Sequence, residues 1–202
     1  WMLGRLIVPV ARLTEFEESA RSLLPQVVEG GPDDAWLISA IAVPVEDPNL
    51  ERDLAIIAAF NERHGSPGTG AACIDAIELR AETAEGLERA LDLMPDDLFP
   101  WFELPVARDV RGLVAALADM EASAKIRTGG TEAATHPAVD AVAAFLEACR
   151  AARVPFKATA GLHHAVRQFV PAVATRQFGF LNVMLGAALL WHGRVTGSTL
   201  RE

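Results

Sequence analysis

Short apolar runs alternate along this chain with amphipathic helical stretches, and that alternation limits the possible folds more than any other feature. The runs Leu6–Val10, Trp36–Val43, Ile74–Leu79, Phe99–Leu104, Ala122–Arg127, Pro155–Thr159 and Phe178–Leu181 are rich in β-branched, aromatic or leucine residues and read as strands. Between them, Glu15–Leu24, Leu50–Arg63, Ala84–Leu93, Val110–Met120, Val139–Ala152 and Val183–His192 repeat apolar residues at helical spacing. Thr14-x-x-Glu17 reads as a capping box for the first helix, and Pro137 stands just ahead of the fifth. Strand starts recur on the order of thirty residues apart, the length of a βα unit. Near-continuous apolar strands are what a parallel sheet covered by helices requires.

The predicted fold is therefore α/β, a TIM-type (β/α) barrel with about seven of its eight βα units visible and the first strand missing. An open doubly wound sheet is the rival, but the turn after the first strand reads Ala11-Arg12-Leu13-Thr14, with no G-x-G-x-x-G. At 202 residues and 51% hydrophobic, one domain spanning the chain is expected. Glu29–Asp34, His64–Gly70 and Thr128–Pro137 are loop-sized rather than linkers. The chain begins Trp1-Met2-Leu3, with neither an initiator Met nor a basic leader, so no signal peptide and a fragment of a longer chain are expected.

Net charge of -9 and a pI near 5.1 oppose a nucleic-acid partner, whose affinity needs clustered cations. The longest apolar run, Phe178–Trp191, is broken by Asn182 and two glycines and is shorter than the ~20 residues of a membrane span, so no membrane is expected. Cys73 and Cys149 lack metal-ligand spacing, and two thiols in so apolar a chain read as buried and reduced, which points to the cytoplasm. A barrel short of a strand has unpaired edges, so a homo-oligomer is possible.

The chemistry gathers at the carboxyl ends of strands. Glu78 and Arg80, Trp101 and Glu103, Lys125 and Arg127, and Lys157 and Thr159 are each spaced by two, so the members of a pair share a face. In a barrel these ends converge on the catalytic mouth; the competing reading is a buried ion-pair layer in which Glu78 and Glu103 neutralise Lys125 and Arg127. Gly129, Gly130 and Gly161 follow two of the strands, and Gly179 with Asn182 opens the last helix. Their backbone N–H groups suit a phosphate or carboxylate, or serve tight turns. A lysine crowded by a second cation becomes a carbonyl nucleophile, and Lys125 beside Lys157 is the first candidate, with Glu103 as general acid or base. His163 and His164 are candidate proton carriers and substrate donors; no H-x-H or H-E-x-x-H supports a metal. His64 and His192 read as surface or helix-end residues, and His136 as a cap before Pro137.

The motifs Ala124-Lys-Ile-Arg-Thr-Gly-Gly130, Phe156-Lys-Ala-Thr-Ala-Gly-Leu-His-His164 and Gly179-Phe-Leu-Asn-Val183, in that order, resemble those of an uncharacterised bacterial (β/α)-barrel family. That resemblance implies sequence before Trp1, including an opening strand, and further sequence after Glu202. More distantly, the two lysine strands are similar to those of class I aldolases of the deoxyribose-phosphate aldolase type. There a K-x-S-T-G strand supplies the Schiff-base lysine and the next K-x-x-G-G strand tunes it. Lys125 with Thr128-Gly129 and Lys157 with Gly161 take those places. The glycine after Ala160 is single, and Arg127 stands where a small hydroxyl residue would be expected.

The expected function is an enzyme acting on a small phosphorylated or carboxylated carbonyl compound, an aldolase-like lyase. Lys125 is its nucleophile, Lys157 the tuning cation, Glu103 or His163 the proton carrier, and Arg127 with the glycine loops the anion site. Glu78, Arg80, Thr159, His164 and Asn182 are expected to help bind a small anionic metabolite; no cofactor is called for. The alternatives are a non-covalent isomerase or hydrolase using the same pocket, and a non-catalytic barrel-derived binding or scaffold protein.

Overall fold

The computed structural model describes residues 4–27 and 35–201, so the loop expected at Glu29–Asp34 lies outside the described residues. The chain forms two compact units, Trp1–Trp101 and Phe102–Glu202. The division falls inside one strand, β4 (Phe99–Glu103).

The first unit holds β1 (Leu6–Pro9), α1 (Leu13–Ala20), β2 (Trp36–Ile41), α2 (Leu50–His64), β3 (Ala72–Arg80) and α3 (Ala84–Leu93). Strand order is β1-β2-β3-β4, with β1–β2 and β2–β3 parallel. Ile38, Ala40, Ile74, Ile77 and Leu79 are buried on these strands, and Leu50, Ile57 and Phe60 of α2 form a buried helical stripe. Acids in the first turn of α2 and Arg63 and His64 in its last complement the helix dipole. The β2–β3 register slips by one residue between Ile38 and Ser39. Beside that slip, Asn61 of α2 clamps both backbone groups of Ile74: its Nδ2 donates to Ile74 O at 2.8 Å, and its Oδ1 accepts from Ile74 N at 2.7 Å. Thr83 caps α3 by accepting from Gly86 N at 3.0 Å.

The second unit holds α4 (Arg111–Ala116), β5 (Ser123–Arg127), α5 (Val139–Ala152), β6 (Phe156–Thr159), β7 (Gln168–Val170), β8 (Thr175–Gln177), α6 (Phe180–Trp191) and α7 (Gly197–Arg201). Strand order is β4-β5-β6, with β5–β6 parallel. Val142, Phe145, Leu146 and Cys149 bury one face of α5. The strand β5 is buried from Ser123 through Ile126, as an interior strand of a covered parallel sheet must be.

The α/β class stands, but the closed barrel does not. Six strands take part in the parallel order among the described residues, and β1 and β6 each have a single neighbour, so the sheet is open. The seventh predicted strand, Phe178–Leu181, is the entry to α6 instead. A short apolar run carries no period of its own, and here a cap decides its state: Asn182 Oδ1 accepts from Gly179 N at 3.3 Å and from Arg167 N at 2.7 Å. In place of further parallel strands the chain makes the two-stranded antiparallel ribbon β7–β8, which the sequence reading missed because each strand has three residues. The capping box expected at Thr14 is also absent: α1 begins at Leu13, and Arg12 at its N-cap makes no side-chain cap bond.

Candidate functional site

In the second unit, β5 and β6 pair so that Lys125 is the Cα partner of Lys157 and Arg127 that of Thr159. Registered residues of adjacent strands point to the same face about 5 Å apart, so two ammonium side chains leave one patch of sheet together. Lys125 is buried, with 7% of its side chain exposed, and Lys157 is half-buried. From the end of β4, Glu103 brings Oε2 to 2.6 Å from Lys125 Nζ, its own side chain 13% exposed. The strands are locked there by Leu104 N donating to Lys125 O at 3.0 Å. A carboxylate in contact with an amine, beside a second cation, can accept the amine's proton, and it can equally hold the charge in place.

Two residues further along, Arg127 is exposed and donates from Nε to Gly129 O at 3.0 Å. Thr128 is fully buried and joins the two loops: its Oγ1 donates to Ala160 O at 2.6 Å, and its N to Thr159 O at 2.8 Å. The glycines answer to packing. A Cβ on Gly129 would lie 2.7 Å from Gly161 Cα, and Gly161 takes φ +74°, a left-handed conformation that favours glycine. A Cβ on Gly130 would meet Thr135 Oγ1 at 2.5 Å, and one on Gly179 would meet Ala165 O at 2.3 Å. The start of α6 is likewise occupied, since Phe180 N donates to His164 O at 2.9 Å and Leu181 N to Ala165 O at 3.0 Å.

His163 is exposed and His164 half-buried in the loop after β6. Among the described residues no group of three or more His, Cys, Asp and Glu is placed to hold a metal ion. No helix among them is long and apolar enough to cross a membrane. In the first unit, Glu78 is 2% exposed and accepts from Ser39 Oγ at 3.0 Å, while Arg80 ends β3 exposed.

Sequence reasoning overlooked Ser39 and Gln177, and named Thr128 within the Lys125–Gly129 resemblance without a role of its own. Only Thr128 left a signal, a hydroxyl residue between a charged strand end and two glycines. His136, read as a cap, lies in the loop after β5 with Nδ1 2.9 Å from Glu132 O and Nε2 3.2 Å from Gln177 Nε2. His64, read as a surface or helix-end residue, is the last residue of α2 and is nearly buried: Nδ1 is 2.6 Å from Gly70 O, Nε2 is 3.1 Å from Glu17, and the ring stacks on Phe60 at 4.2 Å. Burial opposes ionisation of Glu17, but bonds from Arg63 and His64 outweigh it and hold the carboxyl below its usual range. Burial pushes the Cys149 thiol up to about 12, and Cys73 is raised by burial and then by Asp75 and Asp97.

Comparison with family models, curated proteins and solved structures finds no match to this chain.

Proposed function

We propose that the second unit carries the active site of an aldolase-like lyase acting on a small phosphorylated or carboxylated carbonyl compound. The observation that carries the reading is the registered Lys125–Lys157 pair with Glu103 at 2.6 Å from Lys125. Lys125 gives a proton to Glu103, and its lone pair forms the C–N bond to the carbonyl carbon. The carbonyl oxygen leaves as water, taking protons that pass through Glu103, and a protonated imine remains. As Glu103 takes the proton of the β-hydroxyl, the Cα–Cβ bond breaks, the β carbon leaves as a second carbonyl product and the electron pair passes to the imine to give an enamine. That proton returned to Cα restores the imine, and water releases the amine and the remaining carbonyl product. Lys157, in register beside Lys125, is the candidate tuning cation. Arg127 and Thr159, in register one step further along, supply the anion contact.

Borohydride trapping with a panel of sugar phosphates and keto acids, read by intact mass, tests the covalent step. A mass increase that disappears in Lys125→Met is expected; no adduct dependent on Lys125 overturns it. A second reading is favoured by the burial of both Lys125 and Glu103: the pair is an internal tie in a binding or scaffold protein. It predicts that Lys125→Met lowers thermal stability while no metabolite in a screen raises it.

A further inference from the structure

One helix of the second unit is apolar on both sides. Val183, Ala187 and Leu190 of α6 are buried, and α5 packs against that helix. The other side carries Leu181, Met184, Leu185, Ala188 and Leu189, at spacings of three, four, seven and eight, and every one is exposed, Met184 by 66%. A surface helix normally turns polar residues to solvent, and one that is apolar all round is normally covered. Asn182 is the only polar side chain between Phe180 and Trp191, and it is engaged in capping. Val166 and Phe169, from the segment just ahead of α6, are exposed by 59% and 55% and add to the apolar surface of this part of the chain. Isolated exposed apolar residues need no explanation, but a helical stripe of them marks a surface that meets something.

Charge narrows what that is. From Val154 to Arg201 the sequence holds Lys157, Arg167, Arg176, Arg194 and Arg201 and not one Asp or Glu, in a chain of net charge -9. Arg176 is the antiparallel partner of exposed Phe169 in the β7–β8 ribbon, and Arg194 follows the end of α6; both are exposed. Arg201 is offset by Asp140 and Glu147 of α5, which leaves Arg167, Arg176 and Arg194. Leucine, methionine and phenylalanine with such arginines are the make-up of a surface that lies on an anionic bilayer, apolar side chains in the acyl boundary and guanidinium groups at the phosphates. Two copies pairing through this face would bring arginines together instead. Beside the stripe, a crevice of about 460 Å³ walled by Val142, Leu146, Leu181, Leu185, Leu189 and Leu200 offers hydrocarbon-like walls.

We infer that the exposed face of α6, with Phe169, Arg176 and Arg194, is a peripheral docking surface for an anionic lipid bilayer. The absence of a spanning helix does not bear on this, since such a surface lies on the membrane rather than across it. The inference is independent of the chemistry proposed for Lys125.

Co-sedimentation of the full chain with vesicles tests it. The protein is expected to pellet with vesicles containing about 30% phosphatidylglycerol, to stay in solution with pure phosphatidylcholine, and to be released at about 1 M salt. Met184→Glu with Leu185→Glu, both exposed, is expected to abolish binding with an unchanged circular dichroism spectrum. Arg176→Gln with Arg194→Gln is expected to weaken it by about fivefold per arginine. Failure to pellet with the anionic vesicles, equal pelleting with neutral ones, or wild-type binding by the Met184→Glu/Leu185→Glu variant overturns the inference. A dimer in sedimentation velocity that this variant dissolves, without vesicle binding, assigns the face to a second copy and overturns it as well.

Discussion

Lys125 and Lys157 stand opposite one another in adjacent parallel strands, in register, with the Glu103 carboxylate 2.6 Å from Lys125 Nζ. Two ammonium groups on one small patch of sheet, one of them buried, are retained only where a carboxylate offsets them or where their chemistry is used. Both proposed readings of the site therefore turn on the same pair.

Glu103→Gln is expected to be costly. Removing one partner of a buried pair leaves an uncompensated charge, and the loss should be about 3 kcal/mol. Lys125→Met should cost similarly, while Lys125→Met with Glu103→Leu should recover most of either loss, because neither member of the buried pair is then left without the other. Urea unfolding of the four proteins checks this; additive losses in the double variant would show that the two groups do not depend on each other.

Glycine substitutions should separate close packing from ordinary helix propensity. Gly161→Ala combines φ +74° with a Cβ set against Gly129, so a loss of about 1–3 kcal/mol is expected. Gly112, exposed inside α4, has nothing within 4 Å of its would-be Cβ, and Gly112→Ala should stabilise by about 0.5–1 kcal/mol. Thermal melts of the two variants should move in opposite directions.

Acid should loosen the first unit through Glu17. Its folded-state pKa lies below the ordinary value of 4.5, so the folded state binds its proton less readily than the unfolded chain does. The resulting stability is fully present above that value and is lost as pH falls through the lowered folded pKa. Glu17→Gln should be less stable than wild type at neutral pH, and the gap should close as pH falls below about 4.5. Denaturant midpoints across that range would show it; a constant gap would mean that the Glu17 carboxylate is not what Arg63 and His64 bind.

Thiol labelling should be selective. With its pKa pushed to about 12 and its side chain buried, Cys149 should resist iodoacetamide at pH 8 until the protein unfolds. Cys73, half-buried, should label slowly in the native state. Peptide mapping before and after denaturation distinguishes the two.

Much of this molecule was written locally. Periodicity located β1 to β6 to within a residue or two at most of their ends, and α2, α3 and α5 closely, because each strand is a short run rich in β-branched, aromatic or other apolar residues and each helix a stripe with a three- or four-residue period. Spacing by two also placed Lys125 with Arg127, and Lys157 with Thr159, on shared faces of their strands, because side chains alternate along a strand whatever it pairs with. The same local reading failed at Phe178–Leu181, where four apolar residues suit either state and Asn182, reaching back to two backbone N–H groups, makes the choice.

Only the tertiary structure decided the rest. Whether a sheet closes depends on strands finding partners far along the chain, and here β7 and β8 pair with each other while α6 replaces a further strand, which leaves the parallel order at six. Likewise, the sequence reading expected Lys157 and Glu103 near Lys125, but the register that makes the two lysines Cα partners, the 2.6 Å contact of Glu103 with Lys125, and the backbone packing of Gly129 on Gly161 come from the fold. Residue types and their spacing along one element determined the faces; pairing between elements, which depends on burial and close packing over the whole fold, determined which of those faces meet.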